Sequence, residues 1–270
     1  MTRMALYPEA MDARINIDDG GRGGLPVVFV HSLAGNASQW SMQLDHLRKE
    51  RRAVAFDMRG HGLSDPSSDG DYWVETLAKD IGIVARSLDL ERFVLVGHSL
   101  GGSASIAYAG ENPHRVRGLL LVDPSGDGRM LPNEIIEPFL AALQSDDYLR
   151  TIRDYWQTLL VGSSQVVAER VMNDLYATPK DVVAGAFRDS LLFDPVSMLQ
   201  RYSGPKLSVI SHLNDAPYSL HNLVSDLPFI KISGTGHWLQ MDQPDEFNWI
   251  LDQFLHSVEG GGKWPEDGGR

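Results

Sequence analysis

The sequence predicts an α/β fold: a mostly parallel central sheet with helices on both faces and an inserted helical cap. Three observations lead there. Short runs of consecutive apolar residues recur at strand length, with helix-spaced segments between them. A strand that is apolar at every position must be buried on both faces, which a parallel sheet sandwiched between helix layers provides. The third is a break in that alternation: from Met130 to Leu199 there is no strand-like run.

In chain order, Ala13-Arg14-Ile15-Asn16-Ile17 alternates apolar and polar residues as a half-exposed strand does, and Asp18 to Gly24 is a turn. Val27-Val28-Phe29-Val30 is a fully apolar strand, and Gln39 to Lys49 reads as a polar helix. Ala53-Val54-Ala55-Phe56 is the next strand and ends at Asp57; a Gly/Ser/Asp-rich loop runs from Arg59 to Asp71. Leu77, Ile81, Val84 and Leu88 have helical spacing. The strand Phe93-Val94-Leu95-Val96 precedes a helix reaching about Gly110, and Leu119-Leu120-Leu121-Val122 is another buried strand. Within the strandless stretch, Ile135, Phe139 and Leu143, then Ile152, Trp156 and Leu159, fall at helical spacing, punctuated by Pro132, Pro138, Gly162, Pro179 and Pro195. Leu207 to Ile210 and Phe229 to Ile232 complete the strands, and a last helix covers about Pro244 to Val258. The expected organisation is a core of residues 1–125 and 200–259, a helical cap over 126–199, and a Gly-rich, disordered tail over 260–270.

Composition narrows the function. Lys and Arg total 24 against 36 Asp and Glu, a formal charge of −12, which disfavours nucleic acid and anionic membranes as partners. There are no cysteines, so disulfides, thiolate metal sites and a cysteine nucleophile are excluded. No apolar run is long enough to span a membrane, and Tyr7-Pro8-Glu9 stands where a signal peptide would need an apolar stretch. A cytoplasmic location is expected.

The chemistry is signalled at Gly97-His98-Ser99-Leu100-Gly101, between the strand ending at Val96 and the small-residue run Ser103-Ala104-Ser105-Ile106-Ala107. A serine on a sharp strand-to-helix turn stands clear of the backbone, and the helix behind it points its positive end at the site. A serine hydroxyl needs a base, and the base needs an orienting carboxylate. His237 is the best-placed histidine, on the loop Ser233-Gly234-Thr235-Gly236 beyond a strand end, where open parallel sheets build their sites. Two carboxylates compete for the third role. Asp215 lies beyond the strand ending at Ile210 and gives the order Ser…Asp…His; Asp123 follows Val122 directly. Asp215 is the first choice and Asp123 the alternative. The backbone amides of Leu100 and Leu33 are the expected oxyanion donors. Trp40, Trp156, Phe193 and Trp238 are the candidate substrate-binding residues.

Together with these residues, His31-Ser32-Leu33-Ala34-Gly35 with Trp40, Asp57-Met58-Arg59-Gly60-His61-Gly62-Leu63-Ser64, and Gly236-His237 make the chain resemble the α/β-hydrolase fold superfamily, in its capped serine esterase, haloperoxidase and C–C hydrolase branch. The resemblance spans Ala13 to about Val258. It implies Ser99 as nucleophile, His237 as base and then acid, a Leu33/Leu100 oxyanion hole, structural roles for His61 and His98, and no metal or organic cofactor. A serine rather than an aspartate nucleophile argues against epoxide hydrolases and haloalkane dehalogenases. Two positions depart from the family pattern: His31-Ser32 stands where the family has His-Gly, and Ser211-His212-Leu213-Asn214-Asp215 puts Asn214 in the register of the usual acid. The expected activity is hydrolysis of a small or medium apolar carboxylic ester, a small-molecule substrate. A lactonase, a perhydrolase (cofactor-free haloperoxidase) or a C–C bond hydrolase would use the same triad. The alternative of another class is a non-catalytic ligand-binding protein of this fold.

Overall fold

The computed structural model describes residues 2–6 and 13–260. Past Gly260, the expected tail lies outside the described residues. Eight strands form one sheet: β1 (Thr2–Leu6), β2 (Ile15–Gly20), β3 (Val27–Val30), β4 (Ala53–Phe56), β5 (Phe93–His98), β6 (Val116–Val122), β7 (Lys206–Ile210) and β8 (Phe229–Lys231). Their order across the sheet is β1-β2-β4-β3-β5-β6-β7-β8. β1 and β2 pair antiparallel, as do β2 and β4; every other neighbouring pair is parallel.

The apolar runs fold as strands because each has two faces to bury. Val28 and Val30 of β3, Phe93 and Leu95 of β5, and Leu119 and Leu121 of β6 point into one core. Their alternate neighbours Val27 and Phe29, Val94 and Val96, and Leu120 and Val122 point into the other. The first core is closed by α2 (Val74–Ser87) and α3 (Leu100–Glu111), the second by α1 (Ser41–Leu47) and by α11 (Pro244–Glu259) after the one-turn helix α10 (Leu239–Asp242).

Between β6 and β7 lie α4 (Asn133–Gln144), α5 (Tyr148–Leu159), α6 (Gln165–Ala177), α7 (Lys180–Leu192) and α8 (Pro195–Gln200). α4, α5 and α7 pack together, whereas α8 lies against α3 of the sheet layer. A short helix, α9 (Leu220–Leu223), sits between β7 and β8. The order reverses at β3, which has β4 on one side and β5 on the other, so the loops leaving the carboxyl ends of β3 and β5 diverge around a crevice. Among the described residues, no helix is long and apolar enough to cross a membrane.

Candidate active site

Ser99 is the first residue past β5 and occupies φ 51°, ψ −117°, a conformation that costs an L-residue energy and persists only where its surroundings enforce it. Two glycines make room for it here. A Cβ on Gly101 would sit 2.6 Å from the Val30 carbonyl oxygen, so only glycine lets α3 start this close to β3. A Cβ on Gly97 would run into the Gly101 carbonyl and the Ser105 hydroxyl, which are themselves hydrogen-bonded at 2.7 Å. Four non-glycine residues have positive φ among the described residues, and three of them, Ala34, Ser99 and Asp123, stand at the carboxyl ends of β3, β5 and β6. Strain thus gathers where the chemistry is expected.

Asp123 follows β6, and its amide donates to Val209 O (2.7 Å), which fixes it beside the end of β7. Its Oδ1 accepts from the Ser211 amide (2.7 Å) and its Oδ2 from the Ser211 hydroxyl (2.9 Å). The same Oδ2 accepts from His237 Nδ1 at 2.6 Å. The carboxylate is 1% exposed, so these charge-assisted bonds act with little competition from water. With Nδ1–H committed to Asp123, the lone pair of the imidazole is on Nε2.

The loop after β3 is held by His31. The Met58 amide donates to its Nε2 (2.9 Å), so Nδ1 carries the hydrogen and donates to Ser32 O (2.7 Å). Burial pushes the His31 pKa down to about 4 and keeps the ring neutral, as both bonds require. Neither the Leu33 nor the Leu100 amide donates to a protein acceptor among the described residues. His98 accepts from Gln240 Nε2 (3.3 Å) and donates through its own Nε2 to the His237 carbonyl (2.9 Å). Burial, with His237 alongside, holds the His98 pKa well below its ordinary value.

Ser99, Asp123 and His237 line one cavity of about 440 Å³ with Ser32, Leu33, Leu100 and Trp238. Its far wall is apolar and comes from the inserted helices: Ile135, Ile136 and Phe139 of α4, Tyr155, Trp156 and Leu159 of α5, and Phe187 of α7. The Tyr155 ring meets Phe139 and Phe187 edge-on, each at 5.4 Å between centroids. Burial and the neighbouring Tyr218 push its pKa up to about 12, so its hydroxyl stays protonated. Among the described residues lining the cavity there is no lysine or arginine.

Residues 26–244 match the family described as alpha/beta hydrolase fold. The chain belongs to that family. Over 90% of its length this alpha/beta hydrolase fold protein is 28% identical to the dihydrolipoyllysine-residue acetyltransferase component of the acetoin cleaving system of Cupriavidus necator, and it spans 66% of that relative's length. It is 27% identical to the sn-1-specific diacylglycerol lipase ABHD11 of Mus musculus, covering 89% of this chain and 84% of that protein. Among solved structures, a thermophilic esterase from Thermogutta terrifontis superposes with a TM-score of 0.82 at 24% identity, over 96% of this chain and 99% of that one.

Three sequence expectations are corrected. The carboxylate on His237 is Asp123 and not Asp215. Asp215 lies well past the end of β7, is half-exposed, and accepts at Oδ2 from Lys231 Nζ (2.6 Å), which holds its pKa below the usual range. Trp40 is no pocket residue: it is fully buried beneath the sheet against Phe29 (4.9 Å) and Phe247 (6.3 Å). Phe193 is core as well, while Trp156 and Trp238 do line the cavity. Sequence reasoning missed Ser211, whose hydroxyl and amide hold Asp123, and the aromatic wall of Phe139, Tyr155 and Phe187. Ser211 could have been found as the first polar residue past β7, beside the β6 terminus. The helical periodicity of 130–199 says which residues are buried, not which face the crevice.

Proposed function

We propose that this protein is a serine hydrolase that cleaves a neutral, apolar carboxylic ester through an acyl-enzyme on Ser99. The observation that carries the reading is the 2.6 Å contact of His237 Nδ1 with the buried Asp123 carboxylate, in the cavity that Ser99 also lines.

Ser99 Oγ attacks the ester carbonyl and its proton passes to His237 Nε2. The oxyanion that forms is met by the free amides of Leu33 and Leu100, and one such donor is worth ~2.7–4 kcal/mol. The C–O bond to the alcohol breaks as the imidazolium returns the proton to that oxygen. Water, deprotonated by the same nitrogen, then attacks the acyl-enzyme; Ser99 leaves with the proton and the carboxylic acid is released. Asp123 stabilises the imidazolium in both steps without taking the proton.

The cavity supports a neutral substrate. Among the described residues lining it there is no lysine or arginine, so an anionic substrate would bury its charge unpaired beside the Asp123 carboxylate, at a cost of several kcal/mol. The inserted helices act as a cap that supplies the hydrocarbon and aromatic wall. Both named relatives carry names of acyl chemistry, acetyl transfer and lipid hydrolysis.

The test is turnover of p-nitrophenyl butyrate. Folded Ser99→Ala and His237→Ala variants lose it, Asp123→Asn lowers kcat by up to about four orders of magnitude, and Asp215→Asn keeps the parental rate. A fluorophosphonate labels the parent and not Ser99→Ala. Parental turnover in folded Ser99→Ala overturns the proposal, and a parent that resists the fluorophosphonate points to a ligand-binding protein.

A further inference from the structure

The histidine loop carries an acidic residue that the mechanism above does not use. Asp242 ends α10, and each of its carboxylate oxygens reaches across to the loop between α5 and α6. Oδ2 accepts from the Ser163 hydroxyl (2.8 Å) and from the Gly236 amide (3.1 Å); Oδ1 accepts from the Ser164 amide (2.9 Å). One side chain therefore ties the peptide just before His237 to two consecutive residues of the inserted helices.

The neighbouring backbone is joined in the same way. The His237 amide donates to the carbonyl of Leu159, the last residue of α5 (2.9 Å), while the His237 carbonyl accepts from His98 at the end of β5. The N–H side of the histidine is thus held by the insertion and its carbonyl side by the sheet. The two loops meet backbone to backbone. Gly162 has φ +95°, and a Cβ there would lie 2.7 Å from the Thr235 carbonyl; a Cβ on Gly236 would lie 2.9 Å from that of Leu159. Nothing bulkier than glycine fits at either point.

We propose that Asp242 is a positioning residue: through Ser163, Ser164 and Gly236 it locks the His237 loop to the inserted helices, so that the imidazole is set for catalysis only while the α5–α6 loop is seated. This rests on His237 being the base. The chemistry calls for a carboxylate. All three partners are donors, and an ionised aspartate is acceptor-only. An asparagine of the same shape would turn its NH2 toward one set of those donors and lose at least one bond. Freed of the clamp, the histidine loop can shift without unfolding. A displacement of about 1 Å in a catalytic group is enough to cost on the order of 10²-fold in rate.

The experiment uses the full chain with Asp242→Asn, Asp242→Ala and Ser163→Ala. It reads kcat and KM for p-nitrophenyl butyrate well below each variant's Tm, the rate of fluorophosphonate labelling, and the low-field proton resonance of His237 Nδ1–H in the substrate-free protein. We expect kcat and labelling to fall about tenfold or more in the Asp242 variants with KM within about twofold. The Nδ1–H resonance shifts or broadens, and Ser163→Ala follows in the same direction by a few-fold. Unchanged kcat and an unchanged resonance in the folded variants overturn the proposal. So does an effect confined to Tm or KM, the mark of a merely structural contact. If the Asp242 variants do not fold, Ser163→Ala decides by the same two readouts. The resonance separates this inference from the hydrolase reading: a parent without Ser99-dependent turnover sinks that reading, while the dependence of the His237 proton on Asp242 is still measured.

Discussion

Acidification from pH 7 to pH 5 destabilises this protein through histidines buried as neutral rings, and the size of the effect follows from their pKa values. His31 and His61 are fully buried, with pKa values pushed down to about 4 and about 3, chiefly by burial. In the unfolded chain each titrates near 6.5. A group with a depressed folded pKa and a neutral basic form contributes fully above the unfolded pKa, and that contribution is lost as pH falls from about 6.5 toward the folded value. At pH 5 the unfolded imidazole is almost wholly protonated and the folded one almost wholly neutral, so each ring withdraws about 2 kcal/mol between pH 7 and pH 5. The two together remove about 4 kcal/mol, a large share of the ~5–15 kcal/mol that holds a typical domain folded. His98, also fully buried and shifted the same way, adds to the loss. Urea unfolding at pH 7 and pH 5 measures the change. Calorimetric unfolding at pH 5, in buffers of different ionisation enthalpy, counts the protons taken up, nearly one per buried imidazole. His61→Asn removes one of them; among the described residues its Nε2 has no hydrogen-bond partner, and the one bond lost with the ring is that of Nδ1 to Arg59 O (2.9 Å). Equal stability at the two pH values, or an uptake below one proton, refutes the reasoning.

Three further outcomes are expected. Phe187→Ala, on the cavity wall, lowers kcat/KM for a phenyl-bearing ester by about tenfold through lost apolar contact, whereas Phe193→Ala lowers the Tm and leaves KM alone; steady-state kinetics and thermal melts separate them. Trp40→Ala costs ~3–5 kcal/mol of stability as a core truncation, read by urea unfolding, and Trp40 proves a pocket residue if KM moves instead. Gly101→Ala forces the new methyl onto the Val30 carbonyl, costs ~1–3 kcal/mol and slows fluorophosphonate labelling, because α3 can yield only by displacing Leu100 at its first turn. An unchanged Tm and labelling rate in that variant would show that the close approach is not required.

Much of the fold is legible because its strands are buried on both faces. Val27–Val30, Ala53–Phe56 and Phe93–Val96 are apolar at every position, which no half-exposed element tolerates as economically. The elbow is legible for a related reason: the glycines around Ser99 answer to clashes within a few residues, so sequence spacing reports them. β1 was not foreseen. It is an edge strand paired only with β2, and such a strand has no need of a continuous apolar run. Trp40 and Phe193 misled for a different reason. Composition marks a large aromatic near a crevice, but the direction of the side chain is set by what it packs on, which for Trp40 is the far side of the sheet.

The choice of acid shows where reading along the chain stops being enough. Asp123 and Asp215 both follow a strand and both lie between Ser99 and His237, so chain order does not choose between them. What decides is the lateral register of β6 on β7. Val122 pairs with Val209, the Asp123 amide bonds to the Val209 carbonyl, and the carboxylate therefore arrives beside Ser211, the first residue past β7. Ser211 supplies two donors there, and His237 supplies the third. Asp215 is carried away by the turn after Ser211 toward Lys231 of β8, whose ammonium satisfies it at the surface. A carboxylate already held by a lysine in water gains little from a histidine. One buried at a strand end, with two donors from Ser211 and room for a third, is made complete by it. The position of the acid is thus a property of two adjacent strands, and it becomes readable only when their pairing is known.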